Sequence, residues 1–336
     1  MPTLTDFRAA RLPFYPDQTI YAEYACHAFG LDFTEMDGGT GLAFTVGSRS
    51  RTVAFGAGRG SFFPQNNATA ATLANDKYLA DVVMIKAGIA TLGGQYFFLH
   101  ERYRAHRPPG HERADALACF HELGGMAFVK PLAGSRGDFA QTISSEPALA
   151  AYLDEVARYY DAVLMQPVFA GKEYRVFLLD GEVVFSARKW QPALLGDGVR
   201  TIRELYGADA KALELRGISS VPSAIGGDDL LDHVLPDGVR WTISGRMNRS
   251  AGGSMQFAEP DHAQAAFTLA QRAASALGLR AAAVDLFADI ADDPNDVRVI
   301  EVNANPSIRF LEDSGRDDLI LKIWRHTLYS IGLLDV

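Results

Sequence analysis

The stretch AAAVDLFADIADDPNDVRVIEVN, residues 281–303, decides the fold prediction. Two apolar runs, at 281–290 and 297–303, flank the polar turn ADDPND, and this pattern predicts two antiparallel strands joined as a β-hairpin. The position of the turn places Asp285 roughly opposite Glu301. The hairpin is therefore expected to bring two acidic side chains from separate strands close together.

This hairpin carries a candidate metal site. Side chains alternate between the two faces of a strand, so Glu301 and Asn303 share one face, and Asp285 is expected beside them. Two carboxylates and one amide oxygen form an all-oxygen site of the kind that Mg²⁺ prefers, with phosphate and water as further ligands. The alternative is two solvated acids and a turn asparagine on an exposed sheet face. The local pattern leaves both interpretations open.

The remaining segments predict a mixture of hairpins and helices. The run EYRVFLLDGEVVFSARKW at 173–190 predicts a second long hairpin that turns at Asp180-Gly181. Further strands are predicted at 42–46, 51–55, 127–131 and 163–168, and helices near 20–29, from Asn75 to about 87, at 145–160, 261–277 and 317–333. This mixture predicts the α+β fold class.

A second candidate site follows Lys130. The segment Gly134-Ser135-Arg136-Gly137 lies between strands, where two glycines would let backbone amides face a polyphosphate. Lys130 and Arg136 would add positive charge. A glycine-containing loop between strands is more often only a turn, and the GxxxxGK[ST] phosphate loop is absent from the chain. On its own, the segment leaves the turn and the phosphate site as alternatives.

A third candidate site is a set of basic residues that could bind carboxylates or phosphoryl oxygens through their cationic groups. Its members are Arg175, Arg188, Lys189, Arg246, Arg249 and Arg309, together with the run NRSAGGS at 248–254. The alternative for each of them is solubilising surface charge. No serine lies in a GxSxG setting and no histidine pair has metal-ligand spacing, so nothing in the sequence indicates a covalent nucleophile.

Composition excludes several classes of protein. The chain has 336 residues, a formal net charge of −9, 48% hydrophobic and 22% charged residues, which is an ordinary globular balance. The acidic balance argues against non-specific nucleic-acid binding. Two cysteines without a CxxC motif predict neither a disulfide framework nor a zinc site. No secretory signal and no membrane span are found, so we expect a cytoplasmic protein that binds no membrane.

Taken in order, several segments resemble the ATP-grasp ligases, and in particular the ATP-grasp domains of cyanophycin synthetases and bifunctional glutathione synthetases. The resemblance extends from about residue 56 to residue 309. The segments that carry it are GAGRGSFFPQNNATAATLANDKYLADVVMIKAGIA, AFVKPLAGSRGDFA, LMQPVFAGKEYRVFLLDGEVVFSARK, LLGDGVRTIREL, NRSAGGS, AVDLF and VIEVNANPSIRF. Each motif is short, but their order and spacing together are specific. The resemblance favours the metal interpretation of Asp285, Glu301 and Asn303.

The resemblance implies a domain organisation. Residues 1–74 would form a short N-terminal α/β segment like the pre-ATP-grasp domain, and residues 75–336 the ATP-grasp domain. Within it, the lid and ATP-binding subdomain would occupy about 110–170 and the C-terminal catalytic subdomain about 171–336. The two subdomains would clamp ATP between them.

The resemblance also implies residue roles, with ATP and Mg²⁺ (or Mn²⁺) as cofactors. The residues that would contact ATP are Lys77 and Lys130 on the phosphates, Gly134, Ser135 and Gly137 in a flexible lid, Gln166, Pro167 and Val168 against adenine, and Glu173 on the ribose. Asp285, Glu301 and Asn303 match the magnesium ligands. The residues that would face the reacting groups are Arg188 or Lys189, Arg249 with Gly253, and Arg309. The family often has Glu where Gln166 stands, and backbone contacts to adenine would survive this difference.

The expected activity is that of an ATP-dependent carboxylate–amine ligase. It would join amino acids or short peptides through an acylphosphate and release ADP and phosphate. Because the Mur-ligase-like half of cyanophycin synthetase is absent from the sequence, we do not expect cyanophycin polymerisation itself. Two alternatives remain: a kinase or phosphotransferase acting on a small acid, and a non-catalytic nucleotide-binding module. The oligomeric state is open, with a homodimer as the base-rate expectation.

Overall fold

The computed structural model describes residues 2–12, 15–57, 63–133, 139–190, 193–215, 231–242, 254–290, 293 and 296–335. The helices are α1 (Leu4–Ala9), α2 (Asp17–Phe29), α3 (Ala68–Asn75), α4 (Lys77–Lys86), α5 (Arg113–Glu122), α6 (Glu146–Val156), α7 (Ile202–Leu215), α8 (Ala263–Leu277), α9 (Arg309–Asp313) and α10 (Asp317–Ser330). The strands are β1 (Asp32–Glu35), β2 (Ala43–Gly47), β3 (Thr52–Gly56), β4 (Gln95–Phe98), β5 (Ala127–Pro131), β6 (Gln141–Ile143), β7 (Ala162–Gln166), β8 (Lys172–Leu179), β9 (Glu182–Trp190), β10 (Ala193–Leu195), β11 (Arg240–Thr242), β12 (Ser254–Phe257), β13 (Ala281–Ala288) and β14 (Arg298–Asn303).

Two larger sheets dominate the described part of the chain. One has five strands in the order β12-β9-β8-β13-β14, and the other has four in the order β4-β7-β5-β6. Smaller sheets are formed by β1-β2-β3 and by β10-β11. Neighbouring strands within each sheet are antiparallel. Antiparallel sheets combined with helices confirm the predicted α+β class.

Both predicted hairpins form. In the first, Asp180 (φ +46°) and Gly181 (φ +82°) make the turn between β8 and β9, in the left-handed region that Asp and Gly tolerate best. In the second, β13 pairs with β14 so that Asp285 lies opposite Glu301, as the position of the turn predicted. These two hairpins supply four of the five strands of the larger sheet.

The helix boundaries follow their capping residues. The side chain of Ser145 accepts a hydrogen bond from the Ala148 amide and begins α6, and Gly278 (φ +74°) ends α8 in the left-handed conformation. The predicted cap at Asn75 is wrong by one position. Asp76 is the residue whose carboxylate accepts the amides at the start of α4, because Asn75 is still inside α3.

The hydrophobic core lies on both faces of the five-stranded sheet. Side chains of β13 alternate, so Ala283 belongs to one core cluster and Val284 to the other. The first cluster also contains Phe44 of β2 and Trp324 of α10, so the N-terminal segment shares a core with this sheet. The four-stranded sheet has its own cluster around α5 and α6. The predicted domain boundary at residue 74 stays a prediction.

The N-terminal segment contains more helix than expected. The sequence predicted one helical stretch in the first 74 residues, whereas α1 precedes it and α3 follows it. Helix α1 has only 6 residues, which is too short for a clear hydrophobic periodicity. The sequence feature that marks it is the capping box formed by Thr3 and Asp6. None of the helices in the described part of the chain is long and apolar enough to cross a bilayer.

Candidate functional site

The candidate site lies on one face of the five-stranded sheet. Antiparallel pairing sets Asp285 opposite both Glu301 and Arg175, and Ala283 opposite Asn303. Residues directly opposite each other in an antiparallel pair point to the same face. The residues that share this face are Glu173 and Arg175 of β8, Lys189 of β9, Asp285 of β13, and Glu301 and Asn303 of β14. We call these six residues the charged cluster.

Asp285 is the most buried acid of the charged cluster, with 1% of its surface exposed. Arg175 donates to both carboxylate oxygens, from Nε to Oδ1 and from Nη2 to Oδ2, at 2.7 Å each. Lys189 donates to Oδ2 at 3.2 Å. Burial on its own would raise the pKa of Asp285, but the charges of Arg175 and Lys189 outweigh it and lower the pKa to about 2. Asp285 is therefore ionised and fully paired.

Lys189 joins two carboxylates. Besides Asp285 it donates a short hydrogen bond to Glu173 Oε1, and both of these side chains are buried. Burial raises the pKa of Glu173, and the nearby carboxylates of Asp285 and Glu301 add to the rise while Lys189 opposes it. Burial would lower the pKa of Lys189, yet Asp285 and Glu173 raise it above its ordinary value. Lys189 is thus held as a cation between two acids.

The outer part of the charged cluster offers oxygens. Asn303 donates from Nδ2 to Glu301 Oε1 and to the Ala283 carbonyl, at 3.4 Å each. Its Oδ1 is therefore the atom that it offers to a cation. In the described part of the chain no group of three or more His, Cys, Asp or Glu residues could hold a metal. The set Asp285, Glu301 and Asn303 has two carboxylates and one amide, and this all-oxygen chemistry fits Mg²⁺ or Mn²⁺ when phosphate completes the coordination.

Lys130 of β5 faces this cluster from the four-stranded sheet. Only 6% of its surface is exposed. Among the described residues, no carboxylate lies within 4.0 Å of its ammonium, and the charges of Glu301, Asp81 and Glu173 act on it from a greater distance. Its ammonium lies 5.8 Å from the centroid of the Phe128 ring. Burial lowers the pKa of Lys130, with Lys77 contributing in the same direction. A buried ammonium without an ion-pair partner among the described residues has the chemistry that suits a bound anion.

Gln166 ends β7 where adenine was expected. Its Nε2 donates to the Gly93 carbonyl at 2.5 Å, while its buried Oε1 has no partner in the described part of the chain. Gly94 (φ +130°) runs close to this strand, because a Cβ there would lie 2.6 Å from the Met165 carbonyl. Val168, just beyond the strand, is 42% exposed. An accessible apolar residue close to one unpaired amide oxygen suits a heteroaromatic ring.

Two predicted residues lie away from the charged cluster. Arg188 points to the opposite face of β9 and stacks on Trp190, with 3.7 Å between its guanidinium carbon and the ring centroid. Arg309 pairs with Asp17 at 2.9 Å and with Asp313 at 3.1 Å, on the side of the N-terminal helices. Of the alternatives Arg188 and Lys189, it is Lys189 that reaches the cluster. The catalytic roles assigned to Arg188 and Arg309 stay predictions.

Other predicted residues lie outside the described part of the chain: Gly134, Ser135, Gly137, Arg249 and Gly253. Lys77 is described as the first residue of α4, and its charge acts on Lys130. It therefore lies on the same side as the predicted phosphate site.

The sequence placed Arg175 only in the set of basic residues that could bind carboxylates or phosphoryl oxygens, without a partner, and it assigned no role to Asp81. Arg175 follows Glu173 by two positions on the same strand, and this alternation was the available signal for a shared face. Asp81 is 5% exposed in α4, where burial raises its pKa to about 6 and Lys130 opposes the rise. The helical position of Asp81, four residues after Lys77, was the only signal for it.

Comparisons with known proteins find relatives in sequence and neighbours in structure. No protein-family profile matches the chain. The chain is 28% identical over 258 residues to a cyanophycin synthetase from Geminocystis herdmanii, which covers 70% of this chain and 28% of the relative. It is 30% identical over 165 residues to the glutathione biosynthesis bifunctional protein GshAB from Streptococcus thermophilus, covering 44% of this chain and 22% of the relative. The chain thus spans about a quarter of the length of these curated relatives.

Two solved structures share the architecture. A D-alanine–D-alanine ligase from Bacillus anthracis superposes with a TM-score of 0.52 at 15% identity, over 79% of this chain and 70% of that one. A bifunctional glutathione synthetase from Pasteurella multocida superposes with a TM-score of 0.53 at 16% identity, over 96% of this chain and 44% of that one. These superpositions confirm the expected fold, and the curated relatives confirm the resemblance to ATP-grasp ligases.

Proposed function

Because this chain has the ATP-grasp fold and resembles ATP-grasp ligases in sequence, we propose that it is an ATP-dependent carboxylate–amine ligase. The observation that carries the proposal is the position of Lys130, a buried ammonium without an ion-pair partner among the described residues, within the electrostatic influence of Glu301 and Glu173. The acidic edge would attract a cation, and the buried ammonium of Lys130 would attract an anion. A ligand that suits both is an anion with a bound cation. A polyphosphate with its divalent cation is such a ligand.

The nucleotide would lie between the two larger sheets. Lys130 and Lys77 would contact its phosphates, and Glu173 would accept hydrogen bonds from the ribose hydroxyls. Gln166, Pro167 and Val168 would contact adenine, with the backbone reading the base edge. The unpaired Oε1 of Gln166 supports the placement of a ligand beside it, because a buried polar atom needs a hydrogen-bond partner. Glu173 already has Lys189 as its counter-ion through Oε1, and the ribose hydroxyls would donate to its other carboxylate oxygen.

The divalent cation would be held by Asp285, Glu301 and Asn303. When bound, Mg²⁺ or Mn²⁺ supplies charge neutralisation at the phosphates. The residues of this chain orient those ligands: Arg175 and Lys189 fix the Asp285 carboxylate, and the Asn303 amide nitrogen is fixed by Glu301 and the Ala283 carbonyl. Lys130 and Lys189 would add positive charge near the transferred phosphoryl group.

The proposed reaction has two steps. A substrate carboxylate oxygen forms a bond to the γ-phosphorus as the bond to the bridging oxygen of ADP breaks, giving an acylphosphate. An amine nitrogen then bonds to the acyl carbon, the carbon–oxygen bond to phosphate breaks, and the amine loses a proton. Amino acids or short peptides are the proposed substrates. The segment with Gly134, Ser135 and Gly137 would close over the site, and Arg249 and Gly253 would face the reacting groups. Of the alternatives Arg188 and Lys189, Lys189 is the one proposed to face them, because it lies in the charged cluster.

The test is ATP turnover with Mg²⁺ across amino acids and dipeptides, singly and in pairs, with mass spectrometry of the products. We expect ADP release that requires two substrates, together with a condensed product. Glu301→Gln is expected to abolish turnover, whereas Glu182→Gln, an exposed acid in the β8–β9 hairpin, should not. A phosphorylated acid without an amide would show a phosphotransferase instead. No binding of ATP would overturn the proposal altogether.

A further inference from the structure

The charged cluster and Lys130 are balanced in charge. Three cations, Arg175, Lys189 and Lys130, face three carboxylates, Glu173, Asp285 and Glu301. Arg175 is the closest of these cations to a metal-ligand position, because both of its bonds to Asp285 are 2.7 Å. Only 13% of the Arg175 side chain and 1% of the Asp285 side chain are exposed. Water therefore screens this pair little.

A free divalent cation would meet a poor site here. The two oxygens of Asp285 already accept three charge-assisted hydrogen bonds, from Arg175 and Lys189. A metal that binds Asp285 without displacing them adds two positive charges beside buried cations, which repel it strongly in a poorly screened interior. Displacing Arg175 instead leaves a buried guanidinium without its partner. Whether or not Arg175 is displaced, a divalent cation without a polyphosphate is therefore expected to bind weakly.

A polyphosphate changes this balance. It carries several negative charges, and it would lie between the charged cluster and Lys130. Its oxygens would be further ligands for the cation and would compensate Lys130, which has no ion-pair partner among the described residues. The cation and the polyphosphate together add little net positive charge, so Arg175 keeps its bonds to Asp285.

We propose that Arg175 is a positioning residue that stays paired with Asp285, so that the site accepts a divalent cation only together with a polyphosphate. The inference rests on the proposed function, since it assumes that Asp285 is a metal ligand. Arg175 acts through Asp285 in two ways: it fixes the orientation of the carboxylate, and it offsets its charge. A purely structural Arg175 would contribute stability without affecting the affinity for metal.

The experiment measures Mn²⁺ binding to nucleotide-free protein by electron paramagnetic resonance of the unbound ion, and repeats it with a non-hydrolysable ATP analogue after subtracting the Mn²⁺ that the same analogue binds in a protein-free titration. We expect the full chain to bind Mn²⁺ at least tenfold more tightly with the analogue than without it. Arg175→Met removes the charge and should tighten nucleotide-free Mn²⁺ binding by about tenfold or more. Arg175→Lys keeps the charge and should stay within about threefold of the unmodified protein.

Arg280→Met is the matched control. Arg280 makes the same two-bond pair with Asp180, at 2.7 and 2.8 Å, on the surface near the β8–β9 turn. It should leave Mn²⁺ binding unchanged. If Arg175→Met does not fold, Lys189→Met, which removes the second cation on Asp285, is expected to tighten nucleotide-free Mn²⁺ binding in the same direction.

The outcomes separate the two proposals. If the protein binds neither the analogue nor its Mn²⁺ complex, the proposed function fails. If it binds the complex but Arg175→Met and Lys189→Met leave nucleotide-free Mn²⁺ affinity unchanged, only the inference about Arg175 is overturned. Equal Mn²⁺ affinity with and without the analogue also overturns it. A lower melting temperature of Arg175→Met with unchanged metal affinity assigns Arg175 a structural role alone.

Discussion

Arg175 and Asp285 face each other across adjacent strands of the five-stranded sheet, and the guanidinium donates one hydrogen bond to each carboxylate oxygen. The two residues are 110 positions apart in the chain. The pair thus ties the β8–β9 hairpin to the β13–β14 hairpin at the point where the metal ligands are expected. The strength of this ion pair therefore affects both the stability of the fold and the orientation of the Asp285 carboxylate at the expected metal site.

The first prediction concerns the stability that this pair contributes. Asp285→Asn keeps the shape of the side chain but leaves two buried cations without their acid, and we expect a loss of about 3–5 kcal/mol in the free energy of unfolding. Arg175→Met should cost a similar amount. The double variant should lose less than the two single losses combined, by about 1–3 kcal/mol, because its members touch. Urea unfolding of the four proteins measures this coupling, and strict additivity would contradict it.

Much of the fold could be predicted because its signals are local. The β13–β14 register follows from two apolar runs around one turn, and the end of α8 follows from Gly278. No local sequence signal predicts that β8 lies beside β13, because strand order depends on packing between segments far apart in the chain. Arg175 was therefore noticed as a basic residue but not as the partner of Asp285.

The choice between Arg188 and Lys189 shows a second limit. Counting back from the turn, where Leu179 pairs with Glu182, an unbroken ladder would set Glu173 opposite Arg188. A bulge after Phe177 shifts the register by one, so that Tyr174 lies opposite Arg188 and Lys189 joins the face of Glu173. A shift of one residue exchanges the faces of a strand. The sequence carries no marker for this bulge.

The second prediction concerns Lys130. Its pKa is lowered by burial, so its charged form costs stability in the folded state at neutral pH. Lys130→Met should therefore raise the melting temperature of the nucleotide-free protein while it weakens binding of a non-hydrolysable ATP analogue by tenfold or more. Differential scanning fluorimetry with and without the analogue measures both effects. Lys322→Met, on the exposed side of α10, is the control. Unchanged analogue affinity would remove Lys130 from the site.

The third prediction is a pH dependence that comes from Asp81. Burial raises its pKa from 3.8 to about 6, so between these values the folded state keeps a proton that the unfolded state has released. The stabilisation is complete below pH 3.8 and is lost as the pH rises through about 6. Asp81→Asn should match the unmodified protein near pH 3.5 and exceed its stability at pH 7 by about 3 kcal/mol, at 1.36 kcal/mol per unit of pKa.

Urea unfolding of both proteins between pH 3.5 and 7.5 gives the stability difference directly. Other acids, including Asp180 with its lowered pKa, make the free energy of unfolding depend on pH in both proteins. Their contributions cancel when the free energy of one protein is subtracted from that of the other. Glu182→Gln controls for the loss of an acidic charge. A difference that stays constant across this range would show that Asp81 has the same pKa in the folded and unfolded states.

The fourth prediction concerns Asn66, which is 6% exposed and makes four hydrogen bonds. Its Nδ2 donates to the carbonyls of Ala281 at 2.7 Å and Ala304 at 3.1 Å, and its Oδ1 accepts the amides of Arg280 at 2.8 Å and Ala281 at 3.0 Å. It thereby fixes the start of β13 to the residue that follows Asn303. Asn66→Ala leaves these backbone groups unsatisfied and should cost about 2–4 kcal/mol.

Asn66→Ala should also raise the Mg²⁺ concentration needed for half-maximal turnover. The reason is that Ala304, the residue after Asn303, loses its hydrogen bond to Asn66, so the position of Asn303 is less well fixed. Asn67→Ala is the matched control, since Asn67 caps α3 by accepting the Ala70 amide at 2.8 Å and has no bond to β13 or β14. The loss of that cap should cost about 1 kcal/mol and leave the Mg²⁺ dependence unchanged. Equal shifts of the Mg²⁺ dependence in both variants would mean that general destabilisation, rather than the position of Asn303, sets the requirement for metal.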